Sequence, residues 1–432
     1  MSFLFAAFLC VIFLFSGCAR RVESTSEAYT FVVQPVFDWA MPFSEGLAQV
    51  GRVRGGFVRR LRNEIGFVDT NGEVVIPLRE FNQVFCFSEG LASVSLDGMW
   101  GVMDTSGRMV IPMGHDVIYP FNNGVAMMGM SRGIGSNALG LIDRDGVVVI
   151  PQQFDSMRPT FGPYPYGIIA VMRNMQSGFV DISGGMVTNL VYDWVWDQFS
   201  EGLAAVSRDG KAGFVDKNGF EVIPLQFDGA GMFSEGLASV QVGNKWGFVD
   251  REGTVVIEPR FHSAEWFSEG LAAVMVDRLW GFIDRYGNEV IAPQFRFVRP
   301  FSAGLAIVGG GAKMGVINRE GHEVVPLIYE FIDDFAYGLA MVANYRGSTP
   351  QQHRSQVGFV DKDGTKVVQQ DFDFASRFSE GFSVVSKNGK MGIINTNGEL
   401  VVPLRFEGIH PVTEGFAAVR HNGRWGFVRL NT

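Results

Sequence analysis

The repeating unit of this sequence is clearest in GLASVQVGNKWGFVDREGTVVIEPRFHSAEWF, residues 236–267. Leu237–Val242 alternates apolar with small or polar side chains, which indicates a strand. The next residues, Gly-Asn-Lys, are typical of a turn, and Trp246–Val249 follows as a second short strand. Asp250 and Gly253 predict a tight turn, because Asp accepts backbone hydrogen bonds at its start and Gly adopts a positive φ at little cost. Residues 254–257 then form a third strand.

This pattern recurs along the chain with a common spacing of 34 residues. The Gly of the Ser-Glu-Gly-Leu-Ala motif stands at positions 46, 90, 124, 167, 202, 236, 270, 304, 338, 381 and 415. A second Gly, preceded by Trp in four copies, stands at positions 66, 101, 140, 178, 213, 247, 281, 315, 358, 392 and 426. Each unit therefore predicts a three-stranded antiparallel meander, in which Pro259 ends the pairing or lies on an edge, since it cannot donate to a ladder.

The second and third apolar runs predict how the units associate. Their apolar residues are consecutive, so both faces of each sheet must be covered, and stacking the units face to face does this. We expect the second Gly to admit an aromatic ring from the next unit close to its backbone. The residues assigned this structural role in the repeat are Trp100, Gly101, Trp246, Gly247, Trp280, Gly281, Trp425 and Gly426.

The fold class is thus an all-β tandem array of about eleven three-stranded units, stacked either as a propeller-like toroid or as an open superhelix. Phe31–Val33 resembles a third strand, whereas residues 416–428 resemble a first and a second strand. Together they would complete one unit if the array closed into a ring. Eleven units exceed the usual four to eight of a closed propeller, which leaves the open superhelix as the alternative.

The motifs resemble those of the WG-repeat family of bacterial proteins, also called KWG or WG containing repeat proteins. The resemblance extends from Phe31 to Val428. It implies a repeat architecture, and it implies no catalytic activity, because the family shares no established one.

The N-terminus predicts export and a lipid anchor. Residues 3–15 are an unbroken apolar run, too short for a membrane span of roughly 20 residues but suited to a signal peptide. Ser16-Gly17-Cys18 follows and resembles a bacterial lipoprotein cleavage box, which implies cleavage before Cys18 and its lipidation. An ordinary secretory signal and an uncleaved apolar anchor are the alternatives. The expected division is a signal peptide over 1–17, a lipid-attachment Cys and polar tether over 18–28, and the repeat array over 29–432.

Composition excludes several classes of function. With 36 Lys and Arg against 45 Asp and Glu, the net charge is −9, which disfavours nucleic-acid binding. Three cysteines allow no disulfide framework, and we expect Cys86 to be a small buried filler. The six His form no ligand-like cluster, so neither a metal nor a cofactor is predicted. The repeated Glu of Ser-Glu-Gly is expected to act in a turn rather than in catalysis.

Three insertions are the informative irregularity. Between the two motif glycines they lengthen the same hairpin in repeats one, three and nine, so they project from one edge of the array. Insertions on one face of a repeat array often mark the binding face, although tolerated drift in loop length is the alternative. The candidate binding edge consists of Arg52, Arg54, Arg59, Arg60, Arg62, Arg132, Tyr345, Arg346, His353 and Arg354.

Two functions fit these features. The first is a non-catalytic scaffold, anchored in the bacterial cell envelope by lipid, that binds an unidentified envelope protein or glycan through one edge. The alternative is an enzyme acting on cell-wall material, with its site in the irregular segments 157–166 or 191–196. The sequence predicts neither the identity of the partner nor the oligomeric state.

Overall fold

A computed structural model describes residues 28–54, 62–131, 137–158, 165–346 and 354–431. Within these ranges the chain forms eleven antiparallel sheets that follow one another as the blades of a ring. Ten of the sheets have four strands and one has three. A single turn of 3-10 helix, Pro165–Gly167, precedes the second strand of blade 4. The prediction of an all-β array of eleven units is confirmed.

The blades are numbered here by the order of their Ser-Glu-Gly turns, and the strands of each follow the chain. Blade 1 contains Trp39–Ser44, Leu47–Arg54, Arg62–Asp69 and Val74–Glu80, and blade 2 contains Gln83–Val84, Leu91–Leu96, Met99–Asp104 and Met109–His115. Blade 3 contains Val117–Asn122, Val125–Ser131, Asn137–Asp143 and Val148–Phe154, and blade 4 contains Ser156–Arg158, Ile168–Arg173 and Gln176–Asp181.

Blades 5 to 8 contain Trp194–Val195, Leu203–Arg208, Lys211–Asp216 and Glu221–Phe227; Gly229–Ser234, Leu237–Val242, Lys245–Val249 and Val255–Phe261; Ser263–Ser268, Leu271–Val276, Leu279–Ile283 and Glu289–Phe295; Phe297–Val298, Leu305–Gly309, Met314–Asn318 and Glu323–Tyr329. Blades 9 to 11 contain Phe331–Ile332, Leu339–Arg346, Arg354–Asp361 and Lys366–Phe372; Phe374–Ala375, Phe382–Lys387, Lys390–Asn395 and Leu400–Phe406; Gly408–Ile409, Phe416–His421, Arg424–Leu430 and, from the N-terminus, Tyr29–Phe37.

The blades differ from the predicted meander by one strand. The segment between the third apolar run and the Ser-Glu-Gly turn forms a strand of its own, such as Ser263–Ser268, which pairs with the strand after the turn. A register shift between Ala264 and Phe267 interrupts this pairing, so the segment lacks the alternation that marks a strand in sequence. Pro259 lies inside the fourth strand of blade 6, at the outer edge of the sheet, where its missing N–H is tolerated.

The ring is closed by the N-terminal strand. Tyr29–Phe37 pairs antiparallel with Arg424–Leu430, so that Tyr29 lies opposite Leu430 and Phe31 opposite Val428. It thereby supplies the fourth strand of blade 11. Of the two arrangements that the sequence allowed, the structure adopts the closed toroid, a propeller with eleven blades.

Strand direction gives the ring two different faces. Consecutive blades approach each other at their first strands, as between blades 6 and 7, so these strands surround the central channel and the fourth strands lie outside. Because neighbouring strands are antiparallel, the Ser-Glu-Gly turns and the Asp-x-x-Gly turns lie together on one face, called the turn face below. The hairpins between second and third strands lie on the opposite face, called the hairpin face.

The hydrophobic core lies between blades rather than within them. Leu237, Phe248 and Ile257 of blade 6 pack with Phe267 and Val274 of blade 7 in one buried cluster. The rings of Phe248 and Phe267 meet edge to face with centroids 4.9 Å apart, and four other blade pairs repeat this contact. Such pairs are worth about 1 kcal/mol beyond the area they bury. Each blade is therefore stable only against its neighbours, as expected for a repeat array.

A serine bonds each of several blades to the next. Ser234 Oγ donates to the carbonyl of Phe267, 2.7 Å away, and Ser200 Oγ donates to that of Phe233 at 2.6 Å. The same bond joins Ser44, Ser88, Ser268 and Ser379 to the following blade. The Ser of the motif is thus explained by the stacking of blades.

The second Gly of the repeat is tight for a reason other than the predicted one. A Cβ on Gly247 would lie 2.3 Å from the carbonyl oxygen of Ile257, on the fourth strand of the same blade. Gly213, Gly281 and Gly426 are equally close to a fourth-strand carbonyl. The expectation that an aromatic ring of the next unit approaches this Gly was wrong. Trp100, Trp246, Trp280 and Trp425 instead pack into the clusters between blades.

Candidate binding surfaces

The three lengthened hairpins all lie on the hairpin face. In blades 1 and 9 the insertion extends the strands themselves, since Arg54 pairs with Arg62 and Arg346 pairs with Arg354 at the end of each ladder. In blade 3 the ladder ends where Ser131 pairs with Asn137. Four residues of the predicted binding edge lie outside the described residues: Arg59, Arg60, Arg132 and His353. The side chains of four more lie outside them as well: Arg54, Arg62, Arg346 and Arg354.

Ring closure brings these hairpins to one half of the hairpin face. Blades 1 and 3 are two steps apart, and blade 9 is three steps from blade 1 across the closure. Arg52 and Tyr345 are exposed on this face, and the Arg52 guanidinium lies 5.9 Å from the centroid of the Phe37 ring. A closed ring thus provides the spatial grouping on which the predicted binding edge depends.

Carboxylates interrupt the basic character of the hairpin face. An acidic residue before the first strand accepts a backbone hydrogen bond from the hairpin of the same blade, as Asp228 does from Gly243 at 2.6 Å and Glu330 from Tyr345 at 2.6 Å. Lys211 pairs with Asp228 of the next blade, and Arg424 pairs with Asp38 across the closure. These caps could not be predicted from the sequence, because the acidic residue and the hairpin are about 15 residues apart.

The irregular segment 191–196 links blades 4 and 5. Its Tyr192 belongs to a polar cluster whose groups bind one another. The Tyr192 hydroxyl donates to Glu221 at 3.0 Å, and Arg208 lies 3.3 Å from the same carboxylate. Burial, together with the Glu221 carboxylate, raises the pKa of Tyr192 to about 12, so the hydroxyl stays protonated and acts as a donor. Blade 4 lacks a regular fourth strand here, and Thr188 Oγ1 accepts the backbone N–H of Phe179 instead.

The segment 157–166 is described only in part. Met157 is buried, and Arg158 lies 3.5 Å from Asp197 of the next blade. Tyr166 occupies the Glu position of the Ser-Glu-Gly turn, with the ammonium of Lys217 lying 4.6 Å from its ring centroid. Residues 159–164 lie outside the described ranges.

A groove of about 930 Å³ lies beside the long hairpin of blade 1, and Asn63, Glu80 and Trp100 line it. Cys86 is exposed rather than the buried filler expected, although neighbouring atoms desolvate it enough to raise the pKa of its thiol.

Across the described part of the chain, no three His, Cys, Asp or Glu side chains converge in a way that suits a metal ion. Nor does any helix in these ranges have the length and apolar character to cross a bilayer.

The turn face carries a series of carboxylate contacts between neighbouring blades. The Glu of each Ser-Glu-Gly turn has a φ near +54°, and its carboxylate accepts the backbone N–H of the corresponding turn in the next blade. Glu235 binds Gly270 at 2.9 Å and Glu269 binds Gly304 at 2.8 Å. Glu414 of blade 11 binds Gly46 of blade 1 at 2.9 Å, which continues the series across the closure. The turn role predicted for this Glu is confirmed, whereas its contact with the next blade was not foreseen.

Basic residues on the turn face follow this carboxylate series. Arg251, in the Asp-x-x-Gly turn of blade 6, lies 3.4 Å from Glu201 of blade 5. Arg144 of blade 3 lies 3.9 Å from Glu89 of blade 2 and donates to its backbone carbonyl at 2.7 Å. Each Arg thus neutralises the Glu of the preceding blade.

Together, the closed ring and its repeated turns define the chain as an eleven-bladed β-propeller built from one repeat. The family model described as "WG containing repeat" matches residues 30–51, 65–100, 100–128, 140–174, 178–211, 213–246, 246–280, 280–309, 314–344, 358–390 and 391–425. The chain belongs to this family, as its motifs predicted. No curated protein matches the sequence.

Several solved structures are similar at low identity. PorZ, a surface component of the type-IX secretion system of Porphyromonas gingivalis, is 9% identical with a TM-score of 0.25; the alignment covers 78% of this chain and 57% of PorZ, less than two thirds of that protein. AztD of Citrobacter koseri is 10% identical with a TM-score of 0.29, covering 84% of this chain and 93% of that one. The β-propeller domain of the Trilobed protease from Pyrococcus furiosus is 10% identical with a TM-score of 0.25, covering 68% and 99%.

Proposed function

We propose that the protein is a non-catalytic scaffold of the bacterial cell envelope, anchored by lipid at Cys18, that binds an anionic envelope protein or glycan through its hairpin face. The observation that carries the proposal is the grouping of the three lengthened hairpins on one half of that face. Their sequences contain Arg52, Arg54, Arg59, Arg60, Arg62, Arg132, Arg346 and Arg354, on a chain of net charge −9. A basic patch on an acidic body attracts anionic partners, in a manner that salt screens.

The intrinsic chemistry of the irregular segments favours a structural role over the enzymatic alternative. The polar groups around Tyr192 are committed to one another, and the raised pKa of its hydroxyl opposes its use as a base or nucleophile at neutral pH. For a scaffold we expect no release of soluble fragments when the protein is incubated with purified cell-wall material.

The test replaces Arg52, Arg54, Arg59, Arg60 and Arg62 by Ser in a form that begins at residue 28, so that the lipid anchor does not contribute. Binding to isolated cell envelopes at low ionic strength should fall by roughly tenfold, and added salt should weaken binding of the parent protein. A matched variant replaces five basic residues of the turn face, Arg144, Lys217, Arg251, Arg285 and Arg319, and should bind as the parent does. Equal binding by parent and five-Arg variant would contradict the proposal and leave the insertions as drift.

A further inference from the structure

One replacement of the motif Glu brings neither an oxygen acceptor nor an aromatic ring to the turn of the next blade. Blade 8 has Ala303 at the position of the motif Glu, with the same backbone conformation at a φ of +52°. The next turn, Tyr337-Gly338, has φ values of +53° and +81°, close to the +55° and +78° of Glu414 and Gly415, which bind a carboxylate. The turn of blade 9 is therefore shaped like its carboxylate-binding counterparts, but no carboxylate reaches it from blade 8.

The two N–H groups of this turn have no acceptor among the described residues. In the equivalent turn of blade 11, Glu380 accepts the N–H of Glu414 at 2.6 Å and that of Gly415 at 2.8 Å. A Cβ added to Gly338 would meet no atom within 4 Å, as is also true at Gly304 and Gly415, which bind a carboxylate, so the turn of blade 9 is no more crowded than these two.

A cation accompanies the open position. Lys362 stands in the Asp-x-x-Gly turn of blade 9, where Arg251 stands in blade 6 to neutralise Glu201. Lys362 is exposed and makes no ion pair with any described residue. Asp361 is occupied by the N–H groups of its own turn, and Asp363 is the other charged neighbour in the sequence. Lys362 therefore lies in a blade whose preceding blade provides no motif carboxylate, because Ala303 stands at that position.

Three other residues replace the motif Glu, namely Asn123, Tyr166 and Tyr337, and each of these side chains has a contact of its own. Tyr337 directs its hydroxyl to the next blade, where it accepts the N–H of Glu380 at 3.0 Å. Tyr166 occupies its position with an aromatic ring that contacts Lys217. Ala303 has neither an acceptor nor a ring, so its site differs from these.

We propose that the turn Tyr337-Gly338, together with Lys362, binds the carboxylate of a ligand at the place that a Glu side chain occupies in the other blades. The ligand is of the class of acidic peptides, which offer a carboxylate from a side chain or a C-terminus. Charge-assisted hydrogen bonds from backbone N–H groups to a carboxylate are among the stronger ones in proteins, and seven turns of this chain already show the geometry. The site lies on the turn face and is independent of the basic hairpins opposite.

The experiment follows the backbone amides of the purified protein, labelled with 15N-glycine, by NMR. The probes are N-acetylglutamate N-methylamide, which carries a side-chain carboxylate, and N-acetylalanine, which carries a terminal one, at constant ionic strength. The Gly338 amide should shift saturably, with a dissociation constant on the order of 10 mM, whereas the neutral N-acetylglutamine N-methylamide should have no effect. A response to the first probe alone assigns acidic side chains, and a response to the second alone assigns C-termini.

Two variants make the test specific. Ala303→Glu supplies the missing carboxylate from within, so Gly338 should move toward its saturated position and lose its response to both probes. Glu269→Ala removes the acceptor of Gly304 and should create a second responsive amide there, next to Arg319. The proposal is overturned if Gly338 shifts no more than the occupied Gly415, or if Ala303→Glu leaves the response of Gly338 unchanged.

Discussion

At the scale of single residues, the repeat depends on two kinds of Gly that differ in what a side chain would meet. Gly247→Ala places a Cβ against the carbonyl of Ile257, so we expect the free energy of unfolding to fall by about 3 kcal/mol. Gly243→Ala meets open space but requires a φ of +61°, so it should cost only about 1 kcal/mol. Urea denaturation of both variants measures the difference, and equal small effects would contradict the close approach of the fourth strand.

The tightness of Gly247 could be predicted from its recurrence, but its partner could not. The pairing between the third and fourth strands shifts register between Trp246 and Phe248, and this irregularity brings the fourth strand onto the Gly. A bulge leaves no period in the sequence, because it changes the count of residues on one strand without changing their type. The sequence therefore predicts a contact between Gly247 and the next unit, whereas the contact lies within the blade.

At the scale of the element, the Asp-x-x-Gly turn links stability to pH. The Ser106 hydroxyl, reinforced by the backbone N–H and guanidinium of Arg108, lowers the pKa of Asp104 to about 2. Because the folded pKa lies below the unfolded value of about 3.9, the carboxylate contributes stability above that value and loses it as the pH falls toward 2. Asp104→Asn should keep the turn, since Asn318 and Asn395 accept the same backbone hydrogen bonds in blades 8 and 10.

The measurement is the free energy of unfolding as a function of pH, from about pH 5 down to about pH 2. The parent should lose stability more steeply than Asp104→Asn across this window, and the two curves should converge at its acid end. An unchanged slope in the variant would mean that the Asp104 carboxylate does not titrate as its contacts require.

The second, third and fourth strands and the tight turns could be predicted from sequence, whereas the first strand could not. Leu237–Val242 and Lys245–Val249 show their character through apolar runs and bounding turn residues. The first strand buries only two side chains at most, such as Ala230 and Phe233 in blade 6, and a register shift separates them. In blades 1, 3, 8 and 11 this segment also contains a Pro, which normally argues against a strand.

At the scale of the whole molecule, the candidate binding surface depends on two properties. One is the position of the insertions along the chain, and the other is the closure of the ring. The spacing of the glycines located the insertions in repeats one, three and nine, but their grouping requires the ring to close. Closure follows from the N-terminal strand completing blade 11, which the complementary ends of the array allowed but did not require. The inter-blade contacts of the motif Glu could not be derived either, because they join residues about 35 positions apart in different units.

Membrane attachment is a separate prediction about the whole protein. Cys18→Ala should release the protein from membrane fractions, because it removes the thiol that is expected to be acylated. Fractionation and mass spectrometry of the N-terminus measure this. If the variant stays membrane-bound with residues 1–17 intact, the apolar run acts as an anchor itself.

The most direct test of the account is single-particle electron microscopy of the mature protein viewed along the channel. The closed propeller predicts a continuous ring of eleven blades around a central opening, with the strand Tyr29–Phe37 on the outside of the last blade. An open arc or an elongated superhelix would contradict closure, and with it the grouping of the three hairpins on which the proposed binding face depends.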